Sequence, residues 1–447
     1  MPTEEIRFYA EYHSKINSIT FSVKVPTTGL TCTVGPRAVD LIPSNHATTD
    51  DQEHALKVPL PAVVMPTRTT QDPSTNESSL LTLKLTALPS AQSSSPVSAS
   101  EFPPPPLPAA QLQGLENIGC GCCKNVLLKH SGDQDEGGPI QRVVDLPSEH
   151  WQELVDCWMC HEEDFTELRE GDLGARIGQA LVGGTYILIH SANVNGDSVA
   201  IEEDAPAVDW TKGVKRKWRP LACSRCLHPV GDGWYQSVRE DGTDLELIQA
   251  KFYKYMVTFE GKDKSTGLRL SIPQQRFASY VAAEIFESAR HHATYRFILQ
   301  DRLEAQDVMM IWMLNWDSTI VTNQDTVQGD QIAWDASLKA DLCAASDGNS
   351  ATGQSRGKRV MKVLYLGSLS EEQYQSERQA GVYSKEMALW DQWRGDPGVE
   401  KLQFQKHLLL GLSVMLERSS SCLPPALNDA SSAILAMDGM RMGFIEI

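Results

Sequence analysis

The chain has 447 residues and a formal net charge of −18, with 41% apolar and 22% charged residues. This length suits two or three globular domains with sizeable cores. The negative charge argues against a general nucleic-acid binder, because an acidic surface repels phosphate backbones, and it suits either basic protein partners or a merely solvated surface.

Residues 1–88 form a β-rich segment, and residues 89–113 form a Ser/Pro-rich linker or loop. Strands are predicted over 6–9, 19–23, 31–34 and 80–85, where β-branched and aromatic residues are separated by turn residues. The linker contains Phe102-Pro103-Pro104-Pro105-Pro106, which has polyproline character. A spacer is the plainer interpretation of this stretch, and a ligand for a proline-binding module is the alternative.

Residues 114–246 are predicted to form a zinc-binding β domain. Within it, Trp151, Leu154, Val155 and Trp158 follow Ser148 at helical spacing, which predicts a helix with Ser148 as its N-cap and a core-facing apolar stripe. A buried strand is predicted over 185–189, after two glycines. Further strands are predicted over 125–128 and 234–238, each following a cysteine pair.

Residues 247–447 are predicted to form an α+β C-terminal domain. Strands are expected over 252–259, 295–299, 309–316 and 359–366, and helices over 273–292, 384–393 and 399–418. Residues 344–358 are polar and of low complexity, which predicts a loop. The fold class is therefore α+β, with a mainly-β N-terminal region that carries a structural zinc site.

The chain contains ten cysteines, and seven of them lie in tight clusters. Its first residues, MPTEEIRFYAEY, lack the basic and apolar regions of a signal peptide, and the strongly apolar stretch near 408–416 is too short to span a bilayer. We therefore expect a protein of the nucleus and cytoplasm that makes no membrane contact. Clustered thiols in such a reducing compartment indicate metal binding rather than disulfides.

Two Cys-x-x-Cys pairs, Cys120/Cys123 and Cys223/Cys226, are the strongest chemical signal in the sequence. Each pair can place two thiolates on one side of a zinc ion, and the two pairs together fill a tetrahedral shell. Four thiolates leave no open position, so the predicted Zn2+ is structural rather than catalytic. Buried free cysteines are the alternative, and a redox pair is disfavoured because no thioredoxin-like context surrounds either motif.

A second group, Cys157, Cys160 and His161, supplies secondary candidate ligands. Cys157 and His161 lie four residues apart on the predicted helix and can share an ion, whereas Cys160 and His161 are adjacent and point apart. This group cannot close a separate site by itself, so it either contributes to the first site or packs beneath it. Cys122 has the wrong spacing for the first pair and is expected to be a bystander.

No established catalytic motif is present: the sequence lacks a P-loop, a GxGxxG after a strand, a GxSxG elbow and HExxH. Cys422 follows a serine run near the C-terminus and is the candidate nucleophile, although no activating base is identifiable nearby. A loop cysteine without function is the alternative. From the residues alone, the chemistry indicates a zinc-stabilised interaction protein.

The order of four motifs resembles the HECT-like E2-binding proteins, a family described as ubiquitin-protein ligases. The motifs are GCGCCKNVLL, LPSEHWQELVDCWMCH, GQALVGGTYILI and LACSRCLHPVG, with CLPPAL and Gly443-Phe444 near the C-terminus. The resemblance spans most of the chain, and its most specific parts are the Leu146–Trp151 helix start, the Cys160-His161 end and the Cys223/Cys226 pair.

This resemblance implies two roles. The first is a ubiquitin ligase that binds a ubiquitin-conjugating enzyme (E2) and promotes ubiquitin transfer, with Cys422 as the cysteine placed to match a HECT thioester site. The second is a non-enzymatic partner that stabilises or inhibits the metallo-β-lactamase endonuclease of the pre-mRNA cleavage and polyadenylation complex, since fungal relatives are linked to mRNA 3′-end processing. An acidic surface could occupy a groove that normally receives RNA.

Overall fold

The computed structural model describes residues 7–24, 30–43, 56–71, 80–88, 105–129, 140–146, 174–202, 216–237, 245–262, 267–322, 357–367, 384–424, 427 and 439–447. The strands are β1 (Phe8–His13), β2 (Ser18–Lys24), β3 (Leu30–Val34), β4 (Ala38–Pro43), β5 (Leu56–Pro59), β6 (Thr67–Gln71), β7 (Leu80–Thr86), β8 (Leu115–Cys120), β9 (Arg142–Asp145), β10 (Gln179–Val182), β11 (Tyr186–His190), β12 (Val199–Ile201), β13 (Arg216–Cys223), β14 (Pro229–Ser237), β15 (Leu245–Tyr253), β16 (Val257–Lys262), β17 (Arg269–Ile272), β18 (Arg296–Asp301), β19 (Asp307–Thr322), β20 (Lys358–Gly367), β21 (Glu400–Phe404) and β22 (Arg441–Glu446). The α-helices are α1 (Phe277–His292), α2 (Lys385–Gly395) and α3 (Lys406–Ser421).

The chain divides into two compact units. Unit 1 combines Met1–Glu101 with Ser288–Ile447, and unit 2 consists of Phe102–Glu287. Strands predominate in both units. None of the helices in the described ranges is both long and apolar enough to cross a membrane.

Unit 1 contains an eight-stranded sheet and a four-stranded sheet. The larger has the order β21-β18-β19-β1-β2-β7, with β20 paired to β19 and β22 to β20, and the smaller has the order β5-β4-β3-β6. Phe8 and Phe21 from the larger sheet share a buried cluster with Val39 from the smaller. Tyr9 follows Phe8 and points to the opposite face of the sheet, where it packs in a second cluster with Trp390 of α2.

Unit 2 contains a seven-stranded sheet and a three-stranded sheet. Their orders are β12-β13-β14-β15-β11-β10-β9 and β17-β16-β8, and β9 and β10 form the one parallel pair in the larger sheet. Residues from both sheets, including Ile118, Ile187, Phe252 and Phe259, form a single buried cluster. This core carries the ends of β8 and β13, which reach the predicted zinc ligands.

Several predicted elements are confirmed. Strands occur at the positions predicted near 19–23, 31–34, 80–85, 185–189, 309–316 and 359–366. The predicted helix over 384–393 is α2, and the Ser384 side chain accepts a hydrogen bond from the Met387 N–H at 3.2 Å, as expected of an N-cap. The helix predicted after Ser148 lies outside the described residues, as does the loop predicted over 344–358 apart from its last two residues, the second of which begins β20.

Two predicted elements are wrong. The single strand expected over 252–259 is two strands, because the chain turns between Tyr253 and Val257. At this turn the fully buried Lys254 donates from Nζ to four backbone carbonyls, those of Pro106, Leu107, Gly183 and Gly184, at 2.6–3.2 Å. An ammonium group with four such acceptors stabilises a sharp turn where composition alone predicts continued extension.

The helix expected over 399–418 begins only at Lys406. Residues 400–404 instead form β21, parallel to β18, with Leu402 and Phe404 buried and Lys401 and Gln403 exposed. That alternation is the strand period, and pairing with β18 outweighs the helix propensity of the segment. Two smaller differences concern a helix start and a short strand. The helix expected from Pro273 begins at Phe277, and in the strand predicted over 125–128 only Val126 and Leu128 pair, as isolated bridges.

Candidate metal centre

The two Cys-x-x-Cys motifs form two tight turns of the same design, which we call knuckle A (residues 120–125) and knuckle B (residues 223–228). In knuckle A, the Cys120 N–H donates to the Asn125 carbonyl at 2.8 Å and the Lys124 N–H donates to the Cys120 carbonyl at 3.0 Å. In knuckle B, the Cys223 N–H donates to the His228 carbonyl at 2.9 Å and the Leu227 N–H donates to the Cys223 carbonyl at 2.8 Å.

The backbone angles repeat between the knuckles as the hydrogen bonds do. The residue after the second cysteine has a left-handed φ in each case, 59° at Lys124 and 58° at Leu227. This conformation closes the turn and returns the chain toward its strand. β8 delivers Cys120 to knuckle A, and β13 delivers Cys223 to knuckle B.

A neighbouring backbone carbonyl anchors each knuckle from the side. The Gly121 N–H donates to the Met256 carbonyl at 3.0 Å, and the Ser224 N–H donates to the Ser198 carbonyl at 3.0 Å. A Cβ on residue 121 would lie 2.4 Å from the Met256 oxygen, so only glycine fits there without displacement. Ser224 has room for a side chain, and its hydroxyl donates to the Asp197 carbonyl at 2.6 Å.

The four sulfur atoms of the knuckles meet in one cluster. The Sγ atoms of Cys120, Cys123, Cys223 and Cys226 all lie within 4.8 Å of one another, with Cys120–Cys226 at 3.6 Å and Cys123–Cys223 at 3.7 Å. A tetrahedral zinc ion with Zn–S bonds of about 2.3 Å has sulfur–sulfur edges of about 3.8 Å. The arrangement therefore fits a zinc ion held by one pair from each knuckle, and these four residues would be its ligands.

Burial and hydrogen bonding act unequally on the four thiols. Burial raises the pKa of Cys120 to about 12, against the opposing effect of backbone amides in its own turn. Burial acts in the same direction on Cys223, but hydrogen bonds have the larger effect there. Donation from the amides of Arg225 and Cys226 and from the Asn125 side chain lowers the pKa of Cys223 to about 7. A divalent cation between the sulfurs would supply the positive charge that stabilises all four as thiolates.

Asn125 is a contributor that the sequence patterns did not reveal. Its Nδ2 lies 3.6 Å from the Cys223 sulfur and donates to it, so knuckle A supports a ligand of knuckle B. Such outer contacts orient metal ligands and stabilise their charge. The available signal was the equal spacing of CGCCKN and CSRCLH, in which Asn125 and His228 hold the same position.

The remaining predicted site residues lie elsewhere. Cys122 is exposed and is not among the four clustered cysteines. Cys157, Cys160 and His161 lie outside the described residues, so their role as secondary ligands stays a prediction.

Cys422, the candidate nucleophile, lies in unit 1 directly after α3. It is the C-cap residue of that helix, and its Sγ donates to the Arg418 carbonyl at 3.2 Å. Helix C-termini carry a partial negative charge, so this location disfavours a thiolate, whereas a helix N-terminus would favour one.

Comparison with known proteins identifies the family. The family model described as HECT-like ubiquitin-conjugating enzyme (E2)-binding matches residues 11–433. The chain is 23% identical to a mouse protein named as an E3 ubiquitin-protein ligase over 318 residues, which cover 70% of this chain and 68% of the mouse protein. It is 24% identical to the rat protein of the same name, with 72% and 70% covered, and 22% identical to the human one, with 72% of each covered.

No solved structure matches the chain. The names of these relatives mention ubiquitin ligation and do not mention the pre-mRNA cleavage endonuclease, so that predicted partner stays a prediction from the sequence. The family match covers nearly the whole chain and agrees with the order of motifs that the sequence displays. The chain belongs to the HECT-like family of ubiquitin-conjugating enzyme (E2)-binding proteins.

Proposed function

We propose that this protein is an E3 ubiquitin-protein ligase that binds a charged E2 and promotes transfer of ubiquitin to a protein substrate. The family match over residues 11–433 carries this proposal, and the names of the mouse, rat and human relatives support it. We expect the protein to work in the nucleus and cytoplasm.

We propose that the four-cysteine cluster holds a structural zinc ion rather than a catalytic one. Four sulfur ligands leave no position for water or substrate, so the ion would fix the knuckles and would not activate a nucleophile. The metal would thereby stabilise the surface that β8 and β13 present, and catalysis would depend on what that surface binds.

We further propose that ubiquitin passes directly from the E2 to the substrate, without a thioester on this chain. In a HECT-type reaction, a ligase thiolate attacks the E2 thioester, forms a new thioester and releases the E2 cysteine. The only cysteine near the C-terminus, Cys422, donates its proton to the Arg418 carbonyl at the negative end of α3. This is the environment of a neutral thiol rather than of a nucleophilic thiolate.

Reconstituted ubiquitination with an E1, a panel of E2s and the full zinc-loaded chain tests the ligase proposal and the direct-transfer proposal. We expect the wild-type chain to increase ubiquitin transfer, and Cys422→Ala to retain that activity within about twofold, because the thiol would not be the attacking group. A thiol-sensitive ubiquitin adduct on the wild type that Cys422→Ala abolishes together with transfer would establish the HECT mechanism instead. A chain that stimulates no E2 in the panel would refute the ligase proposal.

A further inference from the structure

Leu227, at the tip of knuckle B, combines two unfavourable features. It leaves 65% of its surface exposed, and its φ of 58° is in the left-handed region. A non-glycine residue adopts this conformation at a cost of roughly 1–2 kcal/mol, which glycine avoids and asparagine reduces. Neither core packing nor backbone geometry therefore explains a leucine at this position.

The residues around Leu227 give the tip a definite chemistry. Arg225 lies two residues before Leu227 in knuckle B. Lys124 holds the position in knuckle A that Leu227 holds in knuckle B, and both cations are exposed. The Lys124 Nζ donates to the Gly121 carbonyl at 3.1 Å, which keeps this ammonium at its own turn. The two tips adjoin, because the sulfur atoms of the two knuckles lie within 4.8 Å of one another.

The two knuckle segments differ in charge from the chain as a whole, although the exposed Asp197 lies beside knuckle B. Residues 120–129 and 223–230 contain no aspartate or glutamate, although the chain has 58 acidic residues and a net charge of −18. An exposed apolar side chain on knuckles that also carry exposed cations is complementary to an apolar hollow with carboxylates on its rim. Backbone hydrogen bonds hold both knuckles and the proposed zinc would hold them further, so docking there would sacrifice little conformational freedom.

We propose that the tips of the two knuckles form the surface on which the E2 docks, with Leu227 inserted into an apolar hollow of the E2 and with Arg225 and Lys124 facing carboxylates around it. This inference rests on the proposed function, because it assigns a surface to the E2 that the family is described as binding. The metal centre would then act in ubiquitin transfer indirectly, by holding Leu227 in its exposed position.

A matched pair of substitutions, Leu227→Asn and Lys124→Asn, tests the proposal. Each introduces asparagine at a left-handed position of one knuckle, so each should keep the fold and the zinc, with a melting temperature equal to or above that of the wild type. We expect Leu227→Asn to weaken E2 binding by about 30-fold, the scale of an interface hot spot, and Lys124→Asn to weaken it by about threefold or less. Calorimetric titration of the full zinc-loaded chain with a panel of E2s measures both.

The possible outcomes distinguish failure of this docking surface from failure of the proposed function on which it rests. Binding of no E2 by the wild type would refute the proposed function, whereas equal binding by the wild type and Leu227→Asn would overturn only the docking surface. Leu227→Gly provides a second variant that removes the side chain and tolerates the φ of this position. Hydrogen exchange supplies a readout on the unmutated chain: addition of the E2 should protect the amides of residues 223–228, and unchanged exchange there would also overturn the inference.

Discussion

Glu11 illustrates how a single buried charge is stabilised in unit 1. Its carboxylate, 1% exposed, accepts hydrogen bonds from the Tyr9 hydroxyl at 2.6 Å, the Ser318 hydroxyl at 2.7 Å and the Lys362 ammonium at 2.7 Å. Burial alone would raise the pKa of Glu11, but Lys362 and the two hydroxyls outweigh it and lower that pKa below its usual value. Three donors from β1, β19 and β20 thus converge on one carboxylate of the sheet.

We expect Glu11→Gln to lower the free energy of unfolding at neutral pH by about 3 kcal/mol, because it leaves the Lys362 ammonium in a largely buried site without its anion. A carboxylate with a lowered pKa in the folded state stabilises the protein above its unfolded pKa of about 4.3 and loses this contribution as the pH falls through the folded value. The difference between wild type and variant should therefore shrink as the pH falls below about 4. Urea titrations at several pH values measure it.

Glu446→Gln is the control for this prediction. Glu446 pairs with Lys358 at 3.7 Å on the same sheet, but both side chains are well exposed. Its substitution should change stability by less than about 1 kcal/mol. A similar loss in both variants, or a Glu11→Gln effect that stays constant down to about pH 2–3, would contradict the role given to Glu11.

At the scale of single elements, two glycines differ in whether the structure has room for a side chain. Gly411 lies within α3, and a Cβ there would meet nothing within 4 Å. Gly121 lies in knuckle A, where a Cβ would meet the Met256 oxygen at 2.4 Å. Glycine at position 411 lowers helix stability because it lacks a side chain. Position 121, in contrast, requires that no side chain be present.

Alanine substitutions should therefore act in opposite directions at the two positions. Gly411→Ala should raise the free energy of unfolding by about 0.5–1 kcal/mol, because alanine restricts the unfolded chain and fits the open helix surface. Gly121→Ala should lower it by about 1–3 kcal/mol and weaken zinc affinity, because knuckle A must move away from Met256. Denaturant titration and competition with a zinc chelator measure these effects, and equal changes at both sites would contradict the geometry.

Sequence patterns predicted most elements but misplaced those whose neighbours decide the structure. Period-2 alternation and apolar runs located β2, β7, β11 and β20, since each strand carries its own pattern of burial. The segment over 400–404 has mixed propensity, and its conversion to β21 depends on β18, which lies about a hundred residues away in sequence. Likewise, the spacing of the cysteines predicted four ligands, but the support from Asn125 and Met256 depends on tertiary contacts.

At the scale of the molecule, pairings between distant segments determine the organisation. β1 pairs with β19, with Tyr9 opposite Thr322, so the N-terminal strands and the C-terminal region share one sheet in unit 1. The intervening residues form unit 2, which has its own core and contains the whole four-cysteine cluster. A strand pattern has the same period whatever its partner, so the sequence could not reveal that β1 pairs with β19.

This organisation predicts a localised response to metal removal. Elemental analysis should find about one zinc ion per chain, and a strong chelator or Cys223→Ser should remove it. Because the four ligands lie in unit 2, the loss should destabilise β8 and β13–β15, while β1, β2 and β18–β20 of unit 1 keep their hydrogen bonds. Hydrogen exchange should accordingly rise in the first set of strands and stay unchanged in the second.

Cys122→Ser is the matched control for the loss of metal. Its thiol is exposed and outside the cluster, so this variant should retain both the zinc and the exchange pattern of the wild type. A metal-free wild type whose unit 2 is fully protected would contradict the structural zinc. Equal deprotection of both sets of strands after chelation would instead show that the two units do not respond separately to the loss of zinc. A change confined to unit 2 requires that each core be stable by itself.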